Sequence, residues 1–244
     1  MKSYLSTRIC SLACAAALIA ASGCATTASN PKDPFEGFNR AMFAVNEGLD
    51  VVVKPVAQGY DNFAPLPVKV IVGNFFGNLW DAWTAVNNAL QGKGGEAVSD
   101  VGRVLINSTL GIGGTFDIAS EMGLTKHSED FGQTLGKWGV GEGPFFFWPI
   151  IGPRTTRDTF GWMVDTYVDP VWHVWITDDM ALRNIMVGTR YINLRATLLP
   201  ADKVVDDAAF DRYTYIRDAY LQHRRNEVFD GELPHQVPDY EPSD

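Results

Sequence analysis

The sequence is short of the groups that most enzyme chemistry needs. It holds three cysteines in 244 residues, and Cys10 and Cys14 lie in its leader. Once that leader is removed a single thiol remains, which excludes an intrachain disulfide. His127, His173, His223 and His235 are too scattered to form a metal-ligand motif. No GxSxG elbow is present. Basic residues are outnumbered, 20 against 29 acids, for a formal net charge of -9. Such a chain repels nucleic acid and anionic lipid, so a basic patch cannot be what brings it to a membrane. No apolar run reaches the ~20 residues of a transmembrane helix, and no internal repeat is visible. Neither a catalytic residue nor a metal ligand is expected, and the only covalent group implied is on Cys24.

What is present begins at the N-terminus. Lys2 and Arg8 precede an apolar run from Ile9 to Ala21, and Ala21-Ser22-Gly23-Cys24 follows. A charged start, a short apolar core and a small-residue site make a secretory signal. Small residues directly before a cysteine resemble the bacterial lipobox, which would cleave before Cys24 and leave it carrying diacylglyceryl and N-acyl groups. The alternative is an ordinary export signal with a chance cysteine. Ala25, not Asp, follows Cys24, which favours the outer membrane, facing the periplasm. Loss of residues 1–23 removes two basic residues and leaves 18 against 29 acids, a mature charge of -11. Several acyl chains anchor stably, at ~0.8 kcal/mol per buried methylene. Residues 24–32 read as a tether, 33–230 as one helical domain and 231–244 as a disordered acidic tail.

The body reads as all-α. Asp33-Pro34-Phe35-Glu36 predicts a helix start, with Asp33 as cap, Pro34 at the first position and Glu36 at the third. Phe35, Phe38, Met42, Val45 and Leu49 share one face. A second helix is expected from Pro67, with Val68, Val72, Phe75, Leu79, Trp83, Val86 and Leu90 in period and Gly92 as its stop. A third runs from Glu96 to Leu110. Shorter helices are expected over Phe116–Met122 and Thr156–Asp165, and longer ones over Met180–Leu198 and Ala208–Phe229. The only strand signal in the body, Val51 to Val53, is short and meets Pro55. Asp178-Asp179 and Asp206-Asp207 are assigned to helix starts. Arg103, in an apolar stretch, is expected to cap or pair. "GIGGTFD" (111–117) lacks a preceding strand and the GK[ST] ending, so it reads as a tight turn between helices, with a phosphate-cradling role as the alternative.

"GPFFFWPIIGP" (143–153) fits neither a helix nor a central strand, because Pro144, Pro149 and Pro153 interrupt it. Burying its four aromatics, at ~150–250 Å2 each, is worth at most about 15–25 kcal/mol. It must therefore fold under other helices or meet lipid, and the Cys24 anchor favours lipid. Phe145, Phe146, Phe147, Trp148, Ile150 and Ile151 are the candidate channel-edge or membrane-facing residues. The preceding "DFGQTLGKWGVGEG" contains Gly132, Gly136, Gly139, Gly141 and Gly143, and reads as a mobile loop and candidate gate. Arg154 and Arg157 follow the segment, as surface ion pairs or as contacts for a lipid headgroup.

The stretches "DPFEGFNRAMFAVNEGLD" (33–50), "KPVAQGYDNFAP" (54–65), "LQGK" (90–93), "RVLINSTLGIGGTFDIA" (103–119), "DFGQTLGKWGVGEGPFFFWPIIGPRTTRD" (130–158) and "IRDAYLQHR" (216–224) resemble the MlaA (VacJ) family of outer-membrane lipoproteins. The match runs in order through nearly the whole body, and is weakest over 165–205. The resemblance implies a helical ring or disc in the inner leaflet of the outer membrane, with a central amphipathic channel. It implies removal of mislocalised phospholipid from the outer leaflet, which maintains lipid asymmetry. It also implies a porin trimer as companion and a soluble periplasmic carrier that receives the lipid. The competing readings are a lipid or cell-wall hydrolase and a lipoprotein that braces a porin without a conduit of its own.

Overall fold

A computed structural model describes residues 30–172 and 178–232; Cys24 and nearly all of the expected acidic tail lie outside them. The described chain forms eight helices and one hairpin: α1 (Glu36–Phe63), α2 (Leu66–Leu90), α3 (Gly94–Thr109), α4 (Ile118–Glu121), α5 (Phe131–Lys137), β1 (Phe145–Trp148), β2 (Gly152–Thr155), α6 (Thr156–Val168), α7 (Met180–Ala208) and α8 (Arg212–Val228). The all-α expectation holds. The elements close into a circuit: α1 packs on α7, α7 on α2, α2 on α5, α5 on α8, α8 on β2, and β1 back on α1.

Two boundaries differ from the sequence reading because tertiary contacts override local signals. Helix α1 begins at Glu36, and Phe35 at its cap makes no side-chain capping bond. Asp33 is buried instead, accepting hydrogen bonds from Asn39 Nδ2 at 2.7 Å, Arg217 Nη1 at 3.0 Å and the Tyr213 hydroxyl. It ties the chain entry to α8 rather than capping α1. Helix α1 also continues through Val51–Val53 and Pro55. At the other end α7 runs through Pro200 to Ala208, so Asp206 and Asp207 lie in its last turns, and Asp211 caps α8 by accepting from Tyr213 N and Thr214 N. Asp179 does cap α7.

The burial pattern is inverted relative to a water-soluble bundle. Twenty-one buried polar or charged residues outnumber eleven buried apolar ones among the described residues, and five of those eleven are alanines. Helix α2 buries Asn78, Asp81, Thr84, Asn87 and Asn88, while Val68, Val86 and Leu90 of its apolar stripe are exposed. Helix α3 repeats the arrangement: Asp100, Arg103 and Asn107 point inward, and Val98, Val101 and Leu105 outward. Phe160, Met163 and Tyr167 of α6 are exposed too. Most of the buried groups are matched to one another, although a few atoms, among them Asn78 Oδ1, Asn88 Oδ1 and Arg103 Nε, have no hydrogen-bond partner. Arg103 is fully buried; its Nη2 donates to both Asp117 oxygens at 2.8 and 3.0 Å and its Nη1 to the Leu124 carbonyl at 2.7 Å, with Asp81 at 3.5 Å. Rows of exposed apolar side chains on three helices mark surfaces that meet a partner or lipid.

Half of the five-glycine segment is helix. Asp130 opens α5 with a reciprocal capping box to Gln133, and Gly139 ends it at φ 90°. Gly132 is there for close approach: a Cβ built on Gly161 of α6 would lie 2.4 Å from the Gly132 nitrogen, so the two helices cross backbone to backbone. Gly136 is likewise closed in by Val228 and Arg157. Neither residue can serve a mobile gate, which corrects the reading of both. Gly139, Gly141 and Gly143 occupy the irregular link between α5 and the hairpin.

Candidate lipid site: two cavities about the hairpin turn

The apolar segment is a β-hairpin. Phe145 pairs with Thr155, Phe146 with Arg154, Phe147 with Pro153 and Trp148 with Gly152. Pro149 falls in the turn and Pro153 in the second of only two strands, so neither removes a bond from a central strand. Alternation along β1 sends Phe145 and Phe147 inward, at 1% and 4% exposure, against Tyr213, Leu221 and Phe43. Phe145 is a core residue, which corrects its assignment to the channel edge or membrane face; Phe147 is buried as well but lines the first of the two cavities described below. Phe146 and Trp148 are half-buried and stack at 5.5 Å, with Phe35 stacked on Phe146 at 5.2 Å. Ile150 is exposed at the turn, with φ 67°.

The outer edge of β1 has no third strand. Two asparagines of α1, seven residues and two helical turns apart, take its place. Asn39 Oδ1 accepts from Phe147 N at 2.8 Å, and its Nδ2 donates to Phe145 O at 3.0 Å. Asn46 Oδ1 accepts from Ile150 N at 2.6 Å, and its Nδ2 donates to Trp148 O at 2.9 Å. The sequence reading missed this clamp. Its signal was present as two asparagines inside an otherwise apolar helix face.

The turn stands between two cavities. One, of about 310 Å3, is walled by α1, α7, α8 and the turn. The other, of about 400 Å3, is walled by Trp80 of α2, the cap of α5, the turn, α6 and α7. They share Ile150, Ile151, Tyr191 and Leu194. These four are apolar or aromatic, and beyond them each lining mixes apolar and charged side chains. In the first cavity the charges are paired: Arg195 bridges Asp50 and Asp202 at 2.7 Å each, and Arg212 faces Glu47 at 3.5 Å. In the second, Asp130 is held by Arg224 and Asp169 by Arg190. Arg154 and Asp165 also line it.

The two arginines singled out from the sequence part company. Arg157 is buried and pairs with Asp158 at 2.9 Å, so neither of its expected roles, surface ion pair or headgroup contact, holds. Asp158 also receives Arg224 at 3.1 Å, Tyr220 at 2.8 Å and Thr155 at 2.8 Å. Burial opposes its charge, and Arg224 with Arg157 more than offsets that, holding the carboxyl below its ordinary value. Arg154 forms no side-chain hydrogen bond or ion pair with any described residue. Its Nε is buried without a partner, and its guanidinium lies 5.7 Å from the Trp162 ring centre. Burial pulls its pKa down.

Asp165 carries the opposite anomaly. Burial, then the Asp130 carboxylate, push its carboxyl up to about 6 from 3.8. Its Oδ1 accepts from Trp83 Nε1 at 2.7 Å and Phe131 N at 3.0 Å. The raised value means that the fold penalises the ionised form, fully above about pH 6 and not at all below about pH 4. An asparagine keeps both bonds to Oδ1 without the charge. Asp165→Asn should therefore stabilise the protein by about 1–3 kcal/mol at pH 7.5 and by little at pH 4, read as unfolding midpoints in detergent.

A circuit of helices closed by a hairpin, with many charged and amide groups buried, apolar side chains exposed and two cavities at the hairpin turn, defines the class: a helical ring. The sequence profile of the MlaA lipoprotein family matches residues 31–227, and the chain belongs to that family. It is 34% identical over 222 residues to the intermembrane phospholipid transport system lipoprotein MlaA of Escherichia coli, covering 88% of this chain and 86% of that one. The protein of the same name from Haemophilus influenzae is 31% identical over 225 residues, covering 88% of each. An uncharacterised protein of Rickettsia typhi is 38% identical over 200 residues, or 80% of this chain and 77% of its own. A solved structure described as the structural basis for maintenance of bacterial outer membrane lipid asymmetry superposes with a TM-score of 0.68 at 32% identity, covering 80% of this chain and 98% of that one.

Proposed function

We propose that this lipoprotein removes mislocalised phospholipid from the outer leaflet of the outer membrane, through the cavities about its hairpin turn, and passes it to a soluble periplasmic carrier. The Escherichia coli and Haemophilus influenzae relatives carry phospholipid transport in their names. Taking a phospholipid through water exposes roughly thirty methylenes, at about 25 kcal/mol. A passive conduit must therefore hold tails and headgroup in different surroundings at once. The shared wall of Ile150, Ile151, Tyr191 and Leu194 offers the apolar surface, and Arg154 offers an unmatched cation for the phosphate. That pairing is the observation that carries the reading.

No described helix is long and apolar enough to cross a membrane. The exposed faces of α3 and α6 suit a chain seated within one leaflet, anchored through acylated Cys24, and a porin trimer is the companion that would give it access to the opposite leaflet. The irregular link with Gly139, Gly141 and Gly143 is what remains of the proposed gate. The rival reading, a porin-bracing lipoprotein, is separated by filling the conduit. Leu194→Trp together with Ile151→Trp should raise the phospholipid accessible to an added, membrane-impermeant phospholipase several-fold in cells, with the amount of membrane-bound lipoprotein unchanged. A bracing role would leave that accessibility at the wild-type level.

A further inference from the structure

Among the described residues ten charged side chains line the two cavities, and eight of them are matched by an ion pair. The two left over, Arg154 and Asp165, share the second cavity and do not pair with each other. Asp165 spends Oδ1 on Trp83 and Phe131, and no donor among the described residues reaches its Oδ2. Tyr191 and Trp172, the latter half exposed, line the same cavity. Arg154 is half-buried with its Nε enclosed, and Asp130 and Asp158 act on it only at longer range, without an ion pair. A partly desolvated cation with no ion pair calls for an anion, and a buried carboxylate with one oxygen unused calls for a cation, because each is costly to leave desolvated alone. Aromatic faces add to the attraction of an ammonium. One cavity that lacks one charge of each sign is complementary to a ligand that carries both.

We propose that this cavity selects phospholipids whose headgroup bears an ammonium, with Arg154 receiving the phosphate and Asp165 the ammonium. The inference rests on the conduit reading and adds a headgroup class to it. Phosphatidylethanolamine has the required pair of charges. Phosphatidylglycerol has the phosphate alone, and its glycerol hydroxyls leave Asp165 uncompensated.

The test uses the full-length lipoprotein in dodecyl maltoside, with equimolar dihexanoyl phosphatidylethanolamine and dihexanoyl phosphatidylglycerol, and counts bound lipid by native mass spectrometry. The expected ratio favours the ethanolamine lipid about tenfold, as 1.4 kcal/mol of differential binding gives. Asp165→Asn should bring that ratio to about one without unfolding the protein, and Arg154→Gln should weaken both lipids together. N-acetylation of the ethanolamine lipid should reduce it to the level of the glycerol lipid. Equal binding of the two lipids by the wild type would overturn the selectivity and leave the conduit standing. Free O-phosphorylethanolamine displacing the lipid at equal concentration would show a site for a soluble ester and overturn the inference. No lipid adduct of either kind would overturn the conduit reading as well.

Discussion

Alanine at position 39 should lower the unfolding midpoint by about 10 °C and expose the hairpin to protease. Asn39 is wholly buried, and its amide serves three groups: the Phe147 N–H, the Phe145 carbonyl and the Asp33 carboxylate. Removing it leaves a backbone donor and a backbone acceptor of β1 buried without partners, at about 1–3 kcal/mol each. Asp33 keeps Tyr213 and Arg217, so its own loss is smaller. A total near 4 kcal/mol corresponds to about 10 °C in a chain of this size. Asp in place of Asn39 should be no better, because it supplies no donor to Phe145 and sets a second carboxylate against Asp33. Hydrogen exchange in detergent gives the local reading: the amides of Phe147 and Ile150 should lose protection before those of α2 and α3.

Arg103→Ala should cost about 3–5 kcal/mol, the scale for breaking a buried pair by removing one partner. The guanidinium is fully buried between α2, α3 and the α4 turn, and holds Asp117, Asp81, Ser120 Oγ and the Leu124 carbonyl. Asp81 would retain Lys126 at 3.0 Å, but Asp117 would lose its only cation among the described residues. A single lysine nitrogen cannot hold Asp117 and at the same time serve Ser120 Oγ and the Leu124 carbonyl, as Nη2 and Nη1 of Arg103 do, so Arg103→Lys should recover only part of the loss. Urea or thermal unfolding of the three proteins in one detergent orders them wild type, Lys, Ala. If Arg103→Ala unfolds with the wild type, the buried charges are not what joins α2 to α3.

The helices were legible in the sequence, and their orientation was not. The stripe Val68, Val72, Phe75, Leu79, Trp83, Val86 and Leu90 has the right period for α2, but a protein core and a lipid tail attract such a stripe equally. The discriminating signal lay on the other face, where Asn78, Asp81, Thr84 and Asn88 recur at spacings of three and four and are buried. The prolines at 144, 149 and 153 hid the hairpin because they were weighed against a central strand, whereas two strands have no centre. Phe145 and Phe147 then follow β1 alternation into the core. Asp33 reads locally as a cap and is taken by Tyr213 and Arg217, 180 or more residues away, a contact no window of sequence reports. Of the candidate site residues, Phe147, Ile150, Ile151 and Arg154 do line the cavities. Tyr191, Leu194 and Asp165 belong to 165–205, where the resemblance was thinnest.

The most direct measurement places a photo-activatable amino acid at Leu194, inside the shared wall, and in separate cells at Asn226 near the end of α8 as a polar-surface control. After irradiation of intact cells the adducts are identified by mass. Trapped phospholipid at position 194 and none at 226 is the result expected of a conduit about the hairpin turn. Position 194 trapping no phospholipid, in cells where the lipoprotein is membrane-bound and folded, would contradict it.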